Sequence, residues 1–134
     1  MTLIHLYDKG LTPFQQLLGY NEEIQSHWLQ LGETVEKDGH LSAHLKEEVR
    51  KTLAQKNGCQ YCQAKGIPDP QHYDEKTAVC TGFAEAFLET KGHTAPYVTA
   101  VLKEYLTEAE ISELLAFICF TTAQQYFGAL MQLK

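Results

Sequence analysis

No run of apolar residues in this sequence approaches the ~20 needed to cross a bilayer. The first ten residues, MTLIHLYDKG, also lack the basic start and long apolar stretch of a secretion signal. No membrane partner and a cytoplasmic location are therefore expected. Basic residues are scarce, with 11 Lys and Arg against 17 Asp and Glu and a formal charge of −6. That balance repels phosphate backbones and weighs against nucleic acid as a partner. A small neutral or apolar molecule is the expected ligand. Internal repeats, low-complexity tracts and Pro/Gly/Ser-rich linkers are missing as well, so residues 1–134 are read as a single domain. A chain of this length buries roughly two thirds of the surface that its unfolded form exposes, and one core suffices without staples.

Strand-like alternation is nearly absent too; only Val98-Thr99-Ala100-Val101 has mild β propensity, and helical periodicity flanks it on both sides. What is present is helical punctuation. Thr12-Pro13 reads as an N-cap followed by proline at the first helical position, opening a short helix that closes at Gly19. Asn21 starts a segment in which Ile24, Trp28, Leu31 and Val35 recur every three or four residues, ending at Gly39. Ser42 caps the next, with Leu45, Val49 and Leu53 on one face and Asn57-Gly58 as the stop. Cys59 begins a short helix ended by Gly66-Ile67-Pro68. A longer one carries Val79, Phe83, Phe87 and Leu88 and ends at Gly92, and Thr94-Ala95-Pro96 starts another. Thr107 and Glu110 fit a capping box, and the nearly uncharged stretch from Ile111 to Leu133 predicts a helix buried on more than one side, in the core or in a subunit contact. The fold class is all-α, with about seven helices.

The chemistry concentrates in NGCQYCQAKG, residues 57–66. Cysteines at i and i+3 in the first turn of a helix share a side and close a disulfide with little backbone movement. Free N–H groups at the helix start stabilise a thiolate, most for the residue nearest the terminus, which makes Cys59 the more acidic thiol. In a reducing compartment such a pair is more often catalytic or metal-binding than structural. A zinc site completed by His72 and Cys80 is one alternative, and two inert buried thiols are another. Cys80 and Cys119 sit singly on apolar helices and read as core. His40 and His44 read as surface residues. Trp28, Phe83, Phe87, Phe117 and Phe120 read as core or interface, or alternatively as the lining of an apolar substrate pocket.

The run EEVRKTLAQKNGCQYC resembles the alkylhydroperoxidase D and carboxymuconolactone decarboxylase family, in which a glutamate stands twelve residues before Cys-x-x-Cys and a histidine four residues after it. The stretch FAEAFLETKGHTAPYVTAVLKEYLTEAEISELLAFICFTTAQQYFGAL is similar to the closing helices of that group, so the likeness spans roughly residues 13 to 131. It implies an alkylhydroperoxidase D-like helical bundle, homo-oligomeric through the C-terminal helix. It also implies reduction of an organic hydroperoxide, with Cys62 as the attacking thiol, Cys59 as the resolving one, Glu47 at the start of a proton relay and an external dithiol as reductant. Glu48 is the alternative to Glu47. No cofactor and no metal are expected. The chain departs from the pattern at Gly66, which stands where the histidine should be; Tyr61, His72 or a water is then left to replace the imidazole. If the helices on either side of Asn57-Gly58 fold back antiparallel, Glu47 lies level with residue 66. Two further readings stay open: a cofactor-free lyase like the decarboxylases, which generally lack the cysteine pair, and a non-catalytic redox-sensing or binding module.

Overall fold

The first helix starts where the Thr12-Pro13 signal puts it: α1 spans Pro13–Leu18, and the Thr12 hydroxyl accepts the Gln15 N–H at 3.2 Å. The computed structural model describes all residues, Met1 to Lys134, and contains helices and no strands. After α1 come α2 (Glu22–Glu36), α3 (Ala43–Ala54), the one-turn α4 (Gln60–Gln63), a 3-10 turn at Pro70–His72, α5 (Glu75–Thr90), α6 (Pro96–Tyr105) and α7 (Glu108–Leu130). No helix is long and apolar enough to cross a membrane.

Side-chain caps fix most of the starts. Ser42 Oγ accepts the Leu45 N–H, Asp74 Oδ1 accepts the Thr77 N–H, and Thr107 and Glu110 exchange both bonds of the capping box. Helix α5 stops because Lys91 turns left-handed at φ 53° ahead of Gly92. Helix α3 stops at Ala54, three residues before the Asn57-Gly58 signal; the N–H groups of Gln55, Lys56 and Asn57 bond back into the last turn.

Helix α3 lies between α5 and α7. Its Leu45, Val49 and Leu53 are buried against Phe83 and Ala84 of α5 and Leu114, Phe117 and Ile118 of α7, with Leu102 of α6 closing the same cluster. Burying an aliphatic or aromatic side chain of this kind is worth roughly 1.5–3 kcal/mol, so this cluster supplies most of the fold's stability. A second contact brings α1 and α2 onto α7 through Phe14, Trp28, Phe120 and Phe127, with ring centroids 5.3 to 6.5 Å apart.

Burial leaves one face of α2 and of α7 open, and one expectation, the core reading of Cys119, fails. The α2 stripe is only half covered, leaving Ile24 54% and Leu31 49% exposed. Helix α2 meets α7 through Trp28 and Gly32, the latter against the Phe120 ring, and nothing packs on its outer side. Helix α7 likewise buries Leu114, Phe117, Ile118, Thr121, Gln125 and Gly128 and exposes Leu115, Tyr126 and Leu130. Cys119 is on that open side and is exposed, not core, because no other helix covers that face of α7. Cys80 is buried in the main cluster as expected.

Candidate functional site

Gly58, at φ +77°, turns the chain after α3 and delivers Cys59 as the N-cap of α4. One helical turn brings Cys62 back over it, with Cα atoms 5.2 Å apart, and the two sulfurs form a disulfide. The Cys62 N–H donates to Cys59 Sγ at 3.2 Å, so the backbone group freed at the helix start is spent on that sulfur.

The two sulfurs differ in access. Cys59 is 0% exposed, whereas Cys62 is 9% exposed. Gly128 of α7 seals Cys59: a Cβ at that position would stand 2.6 Å from Cys59 Sγ. Cys62 instead lines a cavity of about 250 Å³ that Cys59 does not reach. The thiol favoured by the helix start and the thiol favoured by access are therefore different atoms. These two properties combine in one exchange step: attack on the reachable Cys62 sulfur expels Cys59 as a thiolate that already holds a hydrogen bond.

The cavity is built from five helices. Helix α2 contributes Leu29, Gly32, Glu33 and Glu36, α1 contributes Phe14 and Gln15, α7 contributes Thr121, Gln124 and Gln125, and the α3–α4 side contributes Arg50, Tyr61 and Lys65. None of Trp28, Phe83, Phe87, Phe117 and Phe120 lines it, so the apolar pocket that they were one option for is not the space beside the disulfide. Polar ties hold the walls together. Asn57 Nδ2 donates to Gln125 Oε1 at 2.8 Å, and Gln125 Nε2 donates to the Arg50 carbonyl at 3.2 Å. Arg50 donates from Nη1 to the Cys62 carbonyl at 3.0 Å and from Nη2 to the Lys65 carbonyl at 3.5 Å, which satisfies the end of the short helix.

Glu47 is exposed and does not line this cavity; it accepts from Arg50 Nε at 2.5 Å and so connects to the cysteine turn through the guanidinium. Glu48 points the other way and is buried. Burial pushes its carboxyl up, but the bonds from Lys51 Nζ at 2.9 Å and the Asp69 N–H at 3.0 Å, with the charge of Lys51, outweigh that and hold it low. It fastens the loop after α4 to α3. Tyr61 lines the cavity, and Lys65 Nζ lies 4.7 Å from its ring centroid. His72 is exposed, pairs with Asp69 at 2.6 Å and is not among the cavity residues. No three His, Cys, Asp or Glu side chains converge anywhere, so Cys59, Cys62, His72 and Cys80 do not assemble the zinc set.

The chain after α4 folds back on α3, as expected: Gln63 donates to the Gln55 carbonyl, Arg50 meets the carbonyls of residues 62 and 65, and Glu48 meets the N–H of residue 69. Gly66 stands beside the Lys51 side chain, whose Cε would lie 3.3 Å from an added Cβ. Gly66 itself adopts φ +129°, which a side chain at that position resists.

Charge dominates what the sequence left unremarked. Partial desolvation at the cavity rim pushes the Glu36 carboxyl up against the pull of Lys65, and the same effect with repulsion from Arg50 pushes the Lys65 ammonium down. Lys65, Glu36, Gln125 and Gly128 all escaped the sequence reading. An isolated glycine inside an apolar helix was the one usable signal among them.

The fold and site define an all-helical protein with a Cys-x-x-Cys disulfide opening on a charged cavity. No protein-family model, curated protein or solved structure matches the chain.

Proposed function

We propose that this chain is an alkylhydroperoxidase D-like thiol-dependent hydroperoxide reductase, or a related disulfide oxidoreductase. The observation that carries the proposal is the asymmetry of the pair, with Cys62 at a cavity and Cys59 sealed behind it. In the reduced state the Cys62 thiolate attacks the peroxide O–O bond, taking one oxygen as sulfenic acid while the other leaves as alcohol after protonation. The Cys59 thiolate then attacks that sulfur, water departs, and the disulfide forms. An external dithiol returns two electrons and closes the cycle. Tyr61, on the cavity wall, is the proton donor to the leaving alkoxide, and Glu47 acts by holding Arg50, whose charge favours the thiolate.

The test is peroxide consumption by the purified protein with dithiothreitol, for a series of organic hydroperoxides. Cys62→Ser and Cys59→Ser should each lose at least ~100-fold, and a wild type without thiol-dependent turnover removes the enzyme reading. The missing imidazole at Gly66 favours one competing outcome, a redox-sensing module, in which the pair oxidises once, stoichiometrically and slowly. The exposed apolar side chains Ile24 and Leu31 of α2 and Leu115, Tyr126 and Leu130 of α7 support a homo-oligomer in which a second copy covers α2 and α7. Sedimentation equilibrium of the wild type should give a dimer or larger; a monomer at micromolar concentration removes that part.

A further inference from the structure

We propose that the cavity in front of Cys62 binds a small zwitterionic amino-acid thiol, of the cysteine type, as the thiol–disulfide exchange partner of the Cys59–Cys62 pair. This deepens the oxidoreductase reading and rests on it: two molecules of such a thiol do the work of one dithiol.

Charge is distributed unevenly around the cavity. Its α3–α4 wall carries two cations, Arg50 and Lys65, and its α2 wall carries two carboxylates, Glu33 and Glu36. Among all ion pairs in the molecule, none joins these walls: Lys65, Glu33 and Glu36 have no partner within 4.0 Å, and Arg50 pairs outward with Glu47. Opposite charges that line one space without reaching each other are free to be bridged by a ligand. Arg50 has five N–H donors and uses three on Glu47, Cys62 and Lys65, which leaves two for a carboxylate.

The sum of the wall charges is zero, so a dipolar ligand fits better than a simple anion or cation. A volume of about 250 Å³ lies below the range of drug-sized sites and suits a molecule of amino-acid size. Desolvation at the cavity rim pushes the Glu36 carboxyl up and the Lys65 ammonium down, a cost that a complementary ammonium and carboxylate would offset. Cys62 on the same wall system supplies the sulfur for such a ligand to meet.

The exchange balances. The ligand thiolate attacks Cys62 Sγ, a mixed disulfide forms, and the Cys62–Cys59 bond breaks with its electron pair leaving on Cys59, whose sulfur keeps the Cys62 N–H bond. A second thiolate attacks the ligand sulfur of the mixed disulfide, releasing the symmetrical ligand disulfide and the Cys62 thiolate. The two ligand thiols are oxidised by two electrons in total, and the protein disulfide is reduced by two.

The experiment compares reduction rates of the oxidised full-length protein by L-cysteine, cysteine methyl ester and 3-mercaptopropionate, each corrected for thiolate fraction and thiol basicity. Cysteine should be at least ~10-fold faster than either analogue, the gain expected from one added charge-assisted contact of about 1.4 kcal/mol. Lys65→Met should shrink the advantage over the methyl ester, and Glu36→Gln the advantage over 3-mercaptopropionate, each rate taken relative to that variant's own dithiothreitol rate. Both side chains are exposed at the rim, and an unchanged circular dichroism spectrum verifies folding. Equal corrected rates for the three thiols overturn the proposal. If dithiothreitol still drives peroxide turnover in that case, the oxidoreductase reading stands alone; if cysteine is preferred yet no reductant supports turnover, the binding site stands and the peroxidase reading falls.

Discussion

The protein buries sulfur in two places that are built in opposite ways. Around Cys80, twelve buried apolar side chains from α3, α5, α6, α7 and their flanks form one cluster, and burial pushes the thiol up to about 12, with Glu110 adding to the effect. Such a thiol is inert at neutral pH. Around the disulfide only Ala54, Cys59 and Cys62 are buried together, edged by Tyr61 and Ala129, and the rest of the structure there is polar ties through Asn57, Gln125 and Arg50. The difference teaches a division of labour. One half of the molecule carries the apolar burial, which frees the other to hold unpaired charge beside a reactive bond.

That division has a measurable size. Phe117, 1% exposed at the centre of the large cluster, should cost about 3–5 kcal/mol as Phe117→Ala, through lost burial and the cavity left behind. Reducing the disulfide should cost less, about 2 kcal/mol at most, because it closes a loop of only four residues. Urea unfolding of both proteins in both redox states checks this, and the two losses should add, since the residues share no cluster. A reduction penalty larger than that of Phe117→Ala would mean that the disulfide end carries the fold.

Legibility in the sequence follows the same line. Helices α1, α3 and α7 were readable because their signals are local: a Thr-Pro start, a serine cap and a capping box each act within four residues. The apolar period of α2 correctly showed a face but not what covers it, since half-exposed Ile24 and Leu31 and buried Val49 look alike in a periodicity argument. Cys119 misled for that reason too. The disulfide end was the hardest to read. Arg50, Lys65 and Glu36 look like solvated charges until α2 folds over α3 and α4 to close a cavity between them.

Gly128 offers the sharpest way to break the comparison, because one added methyl group touches only the weaker half. Its Cβ would stand 2.6 Å from Cys59 Sγ and 3.9 Å from Cys62 Sγ, and the disulfide leaves Cys59 no rotation by which to escape. Gly128→Ala should therefore destabilise the oxidised protein by about 1–3 kcal/mol, the usual cost of overpacking. In the reduced protein the freed Cys59 side chain is able to turn away, and the cost should shrink. Linkage then requires the disulfide to become easier to reduce, by about 30 mV for each ~1.4 kcal/mol of difference between the two states. Gly82 of α5 is the control: nothing lies within 4 Å of its added Cβ, so Gly82→Ala should stabilise by roughly 1 kcal/mol through helix propensity, equally in both redox states. The measurements are urea midpoints and a redox titration against dithiothreitol. An unchanged potential in Gly128→Ala would show that α7, and not the cysteine turn, yields at this contact.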